Sequence, residues 1–388
     1  MSSSLVSQTG KSMERRQGIT LTPRLGLAWW RDSTSSRNGR DASGEAVERD
    51  QGKTCELLTG IPELNENKAS ASTAQQWDAK PIEINGQDEI VPITFLAHGD
   101  YIIGGDGNKI RRWRVKDGKE VGQPMDAGSV VRSIATSRDG KWIVGGTLSH
   151  HVMVWDAESH QKVHQFNSWG DTWAVDISPD ATRIATGSHD RAACVWSLST
   201  GQQLLDPFKH DRQVAAVKFS PDGGLIATAT WERESVRVYD THNGRLLVDT
   251  PIQVSSPRNQ SLAWINDSKQ LFILSRDGNI HCLDVATGQV LFRWTIHSDG
   301  FRGCIALAGD SSFIAASAYS SVSFWDIITH EQIGPLIDHP THVFFMDISA
   351  NHDLMIGGGK KINLRKLPDI LPSSFFDRVS LFSSKIRS

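Results

Sequence analysis

The chain has 388 residues, 44 acidic against 41 basic side chains, a formal charge of −3, and 38% hydrophobic residues. This balance excludes a global electrostatic footprint for nucleic acid or an anionic membrane. No run approaches the roughly 18 apolar residues of a membrane-spanning helix, and the start lacks the charged-then-apolar pattern of a secretory signal.

From Met1 to Lys80 the chain is rich in Ser, Gly, Arg, Glu and Asn, with no persistent apolar period. Such a stretch buries too little apolar surface to offset the entropy of ordering, so residues 1–80 are expected to be a disordered N-terminal segment. Met1 to Arg40 carries only Glu14 and Asp32 as acids, a composition shared with mitochondrial transit peptides. Gly10, Gly18, Pro23 and Gly26 interrupt any amphipathic helix there, which favours a plain tail and a cytoplasmic or nuclear location. Cys55, Cys194, Cys282 and Cys304 are too scattered for a metal pair or a disulfide framework, consistent with a reducing compartment.

After Lys80 short alternating apolar runs are separated by turn residues. "WIVGGTLSHHVMVWDAESHQKVHQFN", "RIATGSHDRAACVWSLSTGQQLLDPFKHD", "LIATATWERESVRVYDTHNGRLLVDTPI" and "FIAASAYSSVSFWDIITHEQIGPLID" each read strand, turn, strand, turn, strand. The residue closing the second strand recurs at Trp113, Trp155, Trp196, Tyr239, Leu283, Trp325 and Arg365, at separations of 42, 41, 43, 44, 42 and 40 residues. Seven units at a period of about 40–45 residues predict an all-β, seven-bladed propeller of four-stranded antiparallel blades.

These residues resemble the WD-repeat family. "VWD" at Val154 to Asp156, "VYD" at Val238 to Asp240 and "FWD" at Phe324 to Asp326 look like its closing motif, and "FSPDG" at Phe219 to Gly223 like the turn after a blade's innermost strand. The resemblance covers residues 81–370 and leaves 371–388 as a C-terminal tail. It implies that the last unit, which supplies only three strands, takes its fourth from Pro81 to Glu89, closing the ring without an open edge. The run "GGGKK" at Gly357 to Lys361 looks like a phosphate loop, but Leu354 stands where that loop needs glycine, and no Ser or Thr follows Lys360. The three glycines then end a blade strand, and Lys360 and Lys361 fall in its turn.

The resemblance also implies a buried network in each blade of His, Ser or Thr, Asp and the closing aromatic. Here it is partial: His210, Thr228 and Tyr239 fit one blade, whose turn "TWERES" lacks the Asp, while Thr186, Asp190 and Trp196 fit another, with Ser168 near the place of the His. These groups are expected to be structural. No "GxSxG" elbow presents a nucleophile, and His150, His151 and His160 lack a Cys or acidic partner at ligand spacing, so neither catalysis, a metal nor a cofactor is expected. The basic run "KIRRWRVK", Lys109 to Lys116, is the best nucleic-acid candidate. In register Arg112 replaces an apolar strand residue, which favours a snorkelling arginine and argues against nucleic acid as a partner.

Loops on a rigid scaffold concentrate binding residues. By the family's layout, one face collects the turns between each blade's second and third strands and the connections between blades. It is expected to carry Trp169, Trp173, Arg191, Trp231, Arg276, Phe301 and Tyr319, side-chain types that dominate binding when they fill partner pockets. The resulting expectation is a scaffold for a protein or peptide partner, acting as a monomer or within a larger complex. A narrower alternative is a substrate receptor of a cullin-type ubiquitin ligase, and a less favoured one an RNA-associated WD-repeat factor. Such receptors carry Arg two positions after the closing "WD", where this chain has Glu158, His242 and Ile328.

Overall fold

A computed structural model describes residues 80–231, 235–255, 259–296 and 303–376, all within the unit spanning residues 73–388. The expectations for residues 1–79, for Phe301 and for the end of the tail lie outside these residues. Among these residues twenty-eight strands, β1 to β28 in chain order, form seven separate four-stranded antiparallel sheets, so the fold is a seven-bladed β-propeller. The closing residues Trp113 to Arg365 all lie on the third strand of their blade.

The innermost strands are β2 (Ile90–Phe95), β6 (Val131–Thr136), β10 (Thr172–Ile177), β14 (Val214–Phe219), β18 (Leu262–Trp264), β22 (Ile305–Leu307) and β26 (Phe345–Ile348). Each packs against the innermost strand of the next blade, and β26 packs against β2, which completes the ring. Middle strands are covered on both faces by neighbouring blades and therefore read as near-continuous small and apolar residues, as in "AACVWS" at Ala192–Ser197, where all but the last are buried. Outer strands such as Lys162–Asn167 and Val290–Thr295 alternate between half-buried and exposed. The core accordingly lies between blades: Ala227, Val236 and Val238 of blade 4 pack with Leu262, Trp264 and Leu271 of blade 5. Gly187 permits this proximity, since a Cβ there would meet Val214 at 2.9 Å and Val217 at 3.1 Å.

The seam is closed by β1 (Ile82–Asn85), which pairs antiparallel with β28 (Lys361–Lys366) as the outer strand of blade 7. The "GGGKK" run holds this junction. The Lys360 carbonyl accepts from the Gly86 N–H at 2.8 Å, the Gly359 carbonyl accepts from the Ile90 N–H at 2.9 Å, and Lys360 Nζ donates to the Gln87 carbonyl at 2.7 Å. Gly357 and Gly358 end β27 (Asp353–Gly358), but only Gly359 and Lys360 form the turn, because Lys361 already pairs as the first residue of β28. At Gly358 the His342 carbonyl oxygen occupies the place a Cβ would take, so glycine is required for packing.

Across the seam, β3 (Tyr101–Asp106) ends in the buried Asp106, whose carboxylate accepts the N–H groups of Gln87 at 3.2 Å and Asp88 at 2.6 Å. Arg111, also buried, donates to Asp106 at 2.8 Å and to Glu120 at 2.8 Å. Burial opposes the Arg111 charge, but Glu120 and Asp106 outweigh it and hold its pKa above the ordinary value. Arg112, its neighbour in the basic run, is half-buried: its guanidinium lies 5.0 Å from the Tyr101 ring centroid and donates to the Ala157 carbonyl at 2.8 Å. The tail folds back, with Leu371 and Phe375 buried beside Phe313, Ile333 and Ile337.

Removing Asp106 leaves buried Arg111 paired to the exposed-side Glu120 alone and deprives the Gln87 and Asp88 N–H groups of their acceptor. Asp106→Ala is therefore expected to lower the unfolding free energy by about 3–5 kcal/mol, read from the shift in urea midpoint; a loss below about 1 kcal/mol, the range of exposed pairs, would show that Asp106 does not hold the seam.

Candidate partner-binding face

The innermost strands of blades 2, 3 and 4 shift register near their first residues, between Val131 and Ser133, Thr172 and Ala174, and Val214 and Ala216. A bulge leaves one residue out of the ladder and re-aims its side chain. The bulged residues are Arg132, Trp173 and Ala215, at the strand ends where the connections between blades enter. The Arg132 guanidinium lies 5.1 Å from the Trp173 ring centroid, and Trp231 packs edge-on against Trp173 at 5.2 Å. His189 stacks beside Trp173 at 6.5 Å. Burial pulls the Arg132 pKa down, with Glu89 and Asp171 acting against that shift. Trp173 Nε1 is buried and has no hydrogen-bond partner among the described residues.

Trp231 stands in the turn after the second strand of blade 4, its N–H donating to the Gln213 carbonyl at 2.9 Å. Tyr319 occupies the matching turn of blade 6 at φ 52°, 45% exposed, with its ring 5.6 Å from His342, which stacks on Phe344 at 6.3 Å. Trp231 and Tyr319 thus belong to different clusters. Trp169 is 71% exposed on the connection into blade 3, its Nε1 donating to Gln203 at 3.3 Å. Arg191 and Arg276 are exposed in the turns of blades 3 and 5.

In blade 4, His210 Nε2 lies 3.2 Å from the Thr228 hydroxyl and 3.5 Å from the Tyr239 hydroxyl. In blade 3, Trp196 Nε1 donates to Thr186 at 2.8 Å. Asp190, grouped with them in the sequence, is exposed, and its Oδ1 accepts the N–H of Ala192 in its own turn at 3.1 Å. The physical reason is reach: Ser168, standing where a histidine would bridge, bonds instead to Thr172 at 2.6 Å and to the Gly170 carbonyl at 2.9 Å. The three histidines considered as a metal set diverge, His150 meeting Asp171 at 3.1 Å, His151 meeting Ser149 at 3.0 Å and His160 the Gln123 carbonyl at 2.7 Å.

Sequence reasoning missed the charges on the innermost strands. Asp176 accepts the Phe219 N–H of the next blade at 2.7 Å, and Asp347 accepts the Phe95 N–H at 3.1 Å and the Thr94 hydroxyl at 3.1 Å. Burial raises both carboxyl pKa values, with Lys218 acting against the shift at each. The signal available in sequence was position: Asp176 and Asp347 occupy the same place before "IS" in "AVDIS" and "FMDIS".

The repeat model "WD domain, G-beta repeat" matches residues 122–156, 160–197 and 202–240. The three matched segments end at the third strands of blades 2, 3 and 4, so these parts of the seven-bladed β-propeller are WD repeats. It is similar to eukaryotic translation initiation factor 3 subunit I of Botryotinia fuckeliana, 25% identical over 42% of this chain and 52% of that protein, and to the same-named subunit of Pyricularia oryzae, 28% identical over 42% and 50%. It is also similar to autophagy-related protein 16 of Arabidopsis thaliana, 23% identical over 62% of this chain and 49% of that protein. The chain spans about half the length of the curated relatives it matches. Among the described residues no helix is long and apolar enough to cross a membrane.

Burial of His210 lowers its pKa from 6.5 to about 4. Between those values the unfolded chain binds a proton that the folded chain does not, so stability is full above pH 6.5 and falls as pH drops towards 4. The loss is about 3 kcal/mol when the shift is converted at 1.36 kcal/mol per unit. Urea unfolding from pH 7 to pH 4.5 should show this slope in the wild type and a shallower one in His210→Gln; parallel slopes would remove His210 as the source.

Proposed function

We propose that the chain is a non-catalytic interaction scaffold that binds a protein or peptide partner on the face carrying Arg132, Trp173, Trp231 and Tyr319. The observation that carries this reading is the stack of Arg132, Trp173 and Trp231, contributed by three consecutive blades. Two of its members are placed by bulges, the device by which strands re-aim side chains at functional sites. A guanidinium over an indole, with a second indole at its edge, offers a flat apolar surface and a cation together. Arg and Trp are the residues whose truncation most weakens protein interfaces. Tyr319 extends the surface on blade 6, where its exposed ring stands at positive φ. The same left-handed conformation recurs in the matching turns at His150 and Arg191, so each of these turns projects a side chain in the same way.

The similarity to proteins named as a subunit of a translation initiation factor supports a role inside a larger assembly. Arg111 and Arg112 do not form a basic patch, since one is held in a buried ion pair and the other packs on Tyr101.

Affinity purification of the full chain from its own cells, beside Trp231→Ala with Tyr319→Ala, tests the reading. A protein partner recovered with the wild type should fall at least tenfold with the variant, while the thermal midpoint is unchanged. A partner retained in full by the folded variant would move the site away from this face.

A further inference from the structure

Among the described residues three arginines lie over an aromatic ring, and two of them also reach a hydrogen-bond acceptor. Arg112, over Tyr101, donates to the Ala157 carbonyl. Arg183, 5.5 Å from the Phe219 ring centroid, donates to the Thr241 hydroxyl at 2.9 Å and to the Gly223 carbonyl at 2.9 Å. Arg132, over Trp173, differs: among the described residues it makes no hydrogen bond and no ion pair. It is half-buried, yet none of its nitrogens is both buried and unpaired, so the donors it leaves free stay open to solvent. The planar fork of a guanidinium is thus fixed on an indole at the end of an innermost strand, with nothing of the described protein received in it.

The surrounding charges say what the fork would take. Burial works against the Arg132 charge, and Glu89 and Asp171 act against that shift without bonding to it. Asp171 meets His150 at 3.1 Å, and Glu89 is exposed. A carboxylate brought by a ligand matches the fork in two parallel hydrogen bonds, and such charge-assisted bonds are about twice as strong as neutral ones. Glu89 and Asp171 also limit the charge of the ligand, since a phosphate dianion would meet two like charges where a carboxylate brings a single one. Trp173 and Trp231 are half-buried, and Val130, on the connection leading into β6, is 44% exposed. This apolar surround offers contact to the flanks of a peptide and none to a free anion.

We propose that Arg132 receives a single Glu or Asp side chain of the partner protein, with an apolar residue beside that acid lying on the neighbouring indoles. The proposal rests on the reading of this face as a partner-binding surface, and names the chemistry the partner presents to it.

The test is selection of a random dodecapeptide library on the full chain, followed by fluorescence anisotropy of the enriched peptides with wild type, Arg132→Gln and Arg132→Lys. Asp or Glu should recur at one position beside an apolar residue. Arg132→Gln should weaken binding at least tenfold, as should the amide in place of the recurring acid. The two changes together should cost little more than either alone, because they break the same contact. Arg132→Lys keeps the charge and loses the fork, so its affinity should fall between wild type and Arg132→Gln. Trp231→Ala should weaken binding severalfold. An unchanged thermal midpoint shows that a variant folds; if Arg132→Gln does not fold, Arg132→Lys and the amide peptides on wild type carry the test. Selection without a recurring acid, or losses from Arg132→Gln and the amide that multiply independently, would overturn the proposal. Peptides weakened by Trp231→Ala but not by Arg132→Gln would leave the partner-binding face standing and remove only the carboxylate reading. Phosphoserine in place of the acid should bind more weakly; tighter binding would assign Arg132 to a phosphorylated partner and overturn the proposal equally.

Discussion

A blade of this protein buries both faces of its middle strands only because another blade stands on each side, so everything depends on the ring being closed. The last three strands need a fourth, and β1, which precedes the first blade in the chain, supplies it by pairing with β28. Without that strand β28 would present unpaired N–H and C=O groups at an edge. The closure is reinforced locally. The carbonyls of Gly359 and Lys360 hold the β1–β2 connection, Lys360 Nζ reaches Gln87, and Asp106 receives two N–H groups of the same connection while paired to Arg111. A glycine-lysine run with the composition of a phosphate loop here serves as the clasp of a ring.

Inside the ring, side chains of the innermost strands tie one blade to the next. Ser133 accepts the Val175 N–H at 2.9 Å, Asp176 accepts the Phe219 N–H, Trp264 donates to the Lys218 carbonyl at 3.1 Å, and Asp347 accepts the Phe95 N–H. The inward-facing backbone donors would otherwise lack partners, since the innermost strand has a neighbour on one side only. Using carboxylates for this task costs desolvation, which raises the pKa values of Asp176 and Asp347, and the Lys218 charge acts against that shift at each. The same rigid ring lets the opposite strand ends carry bulged Arg132 and Trp173, whose stack depends on three blades holding register.

Much of the fold was legible in the sequence. The residue that closes each third strand holds the same place in every blade, so its spacing of 40–44 residues survives even where Tyr239, Leu283 or Arg365 replaces tryptophan. The candidate face was legible only as a collection of aromatics and arginines, because which of them meet depends on neighbours about 40 residues apart. Trp173 and Trp231 do meet, whereas Arg132, which completes their stack, carried no signal of its own. Asp190 sat at the right offset for a network, but the short Ser168 could not reach it. In the basic run the sequence drew attention to Arg112, while the deeper burial belongs to Arg111, whose partners Asp106 and Glu120 lie on either side of it in the chain.

Closure of the ring by β1 is tested most directly by hydrogen–deuterium exchange of the full native chain, followed by mass spectrometry of peptides covering residues 361–366. If β1 seals blade 7, these amides should be as protected as those of the third strands in the other blades, such as residues 192–197. Exchange of residues 361–366 at the rate of an exposed edge strand, with the other third strands protected, would contradict the account.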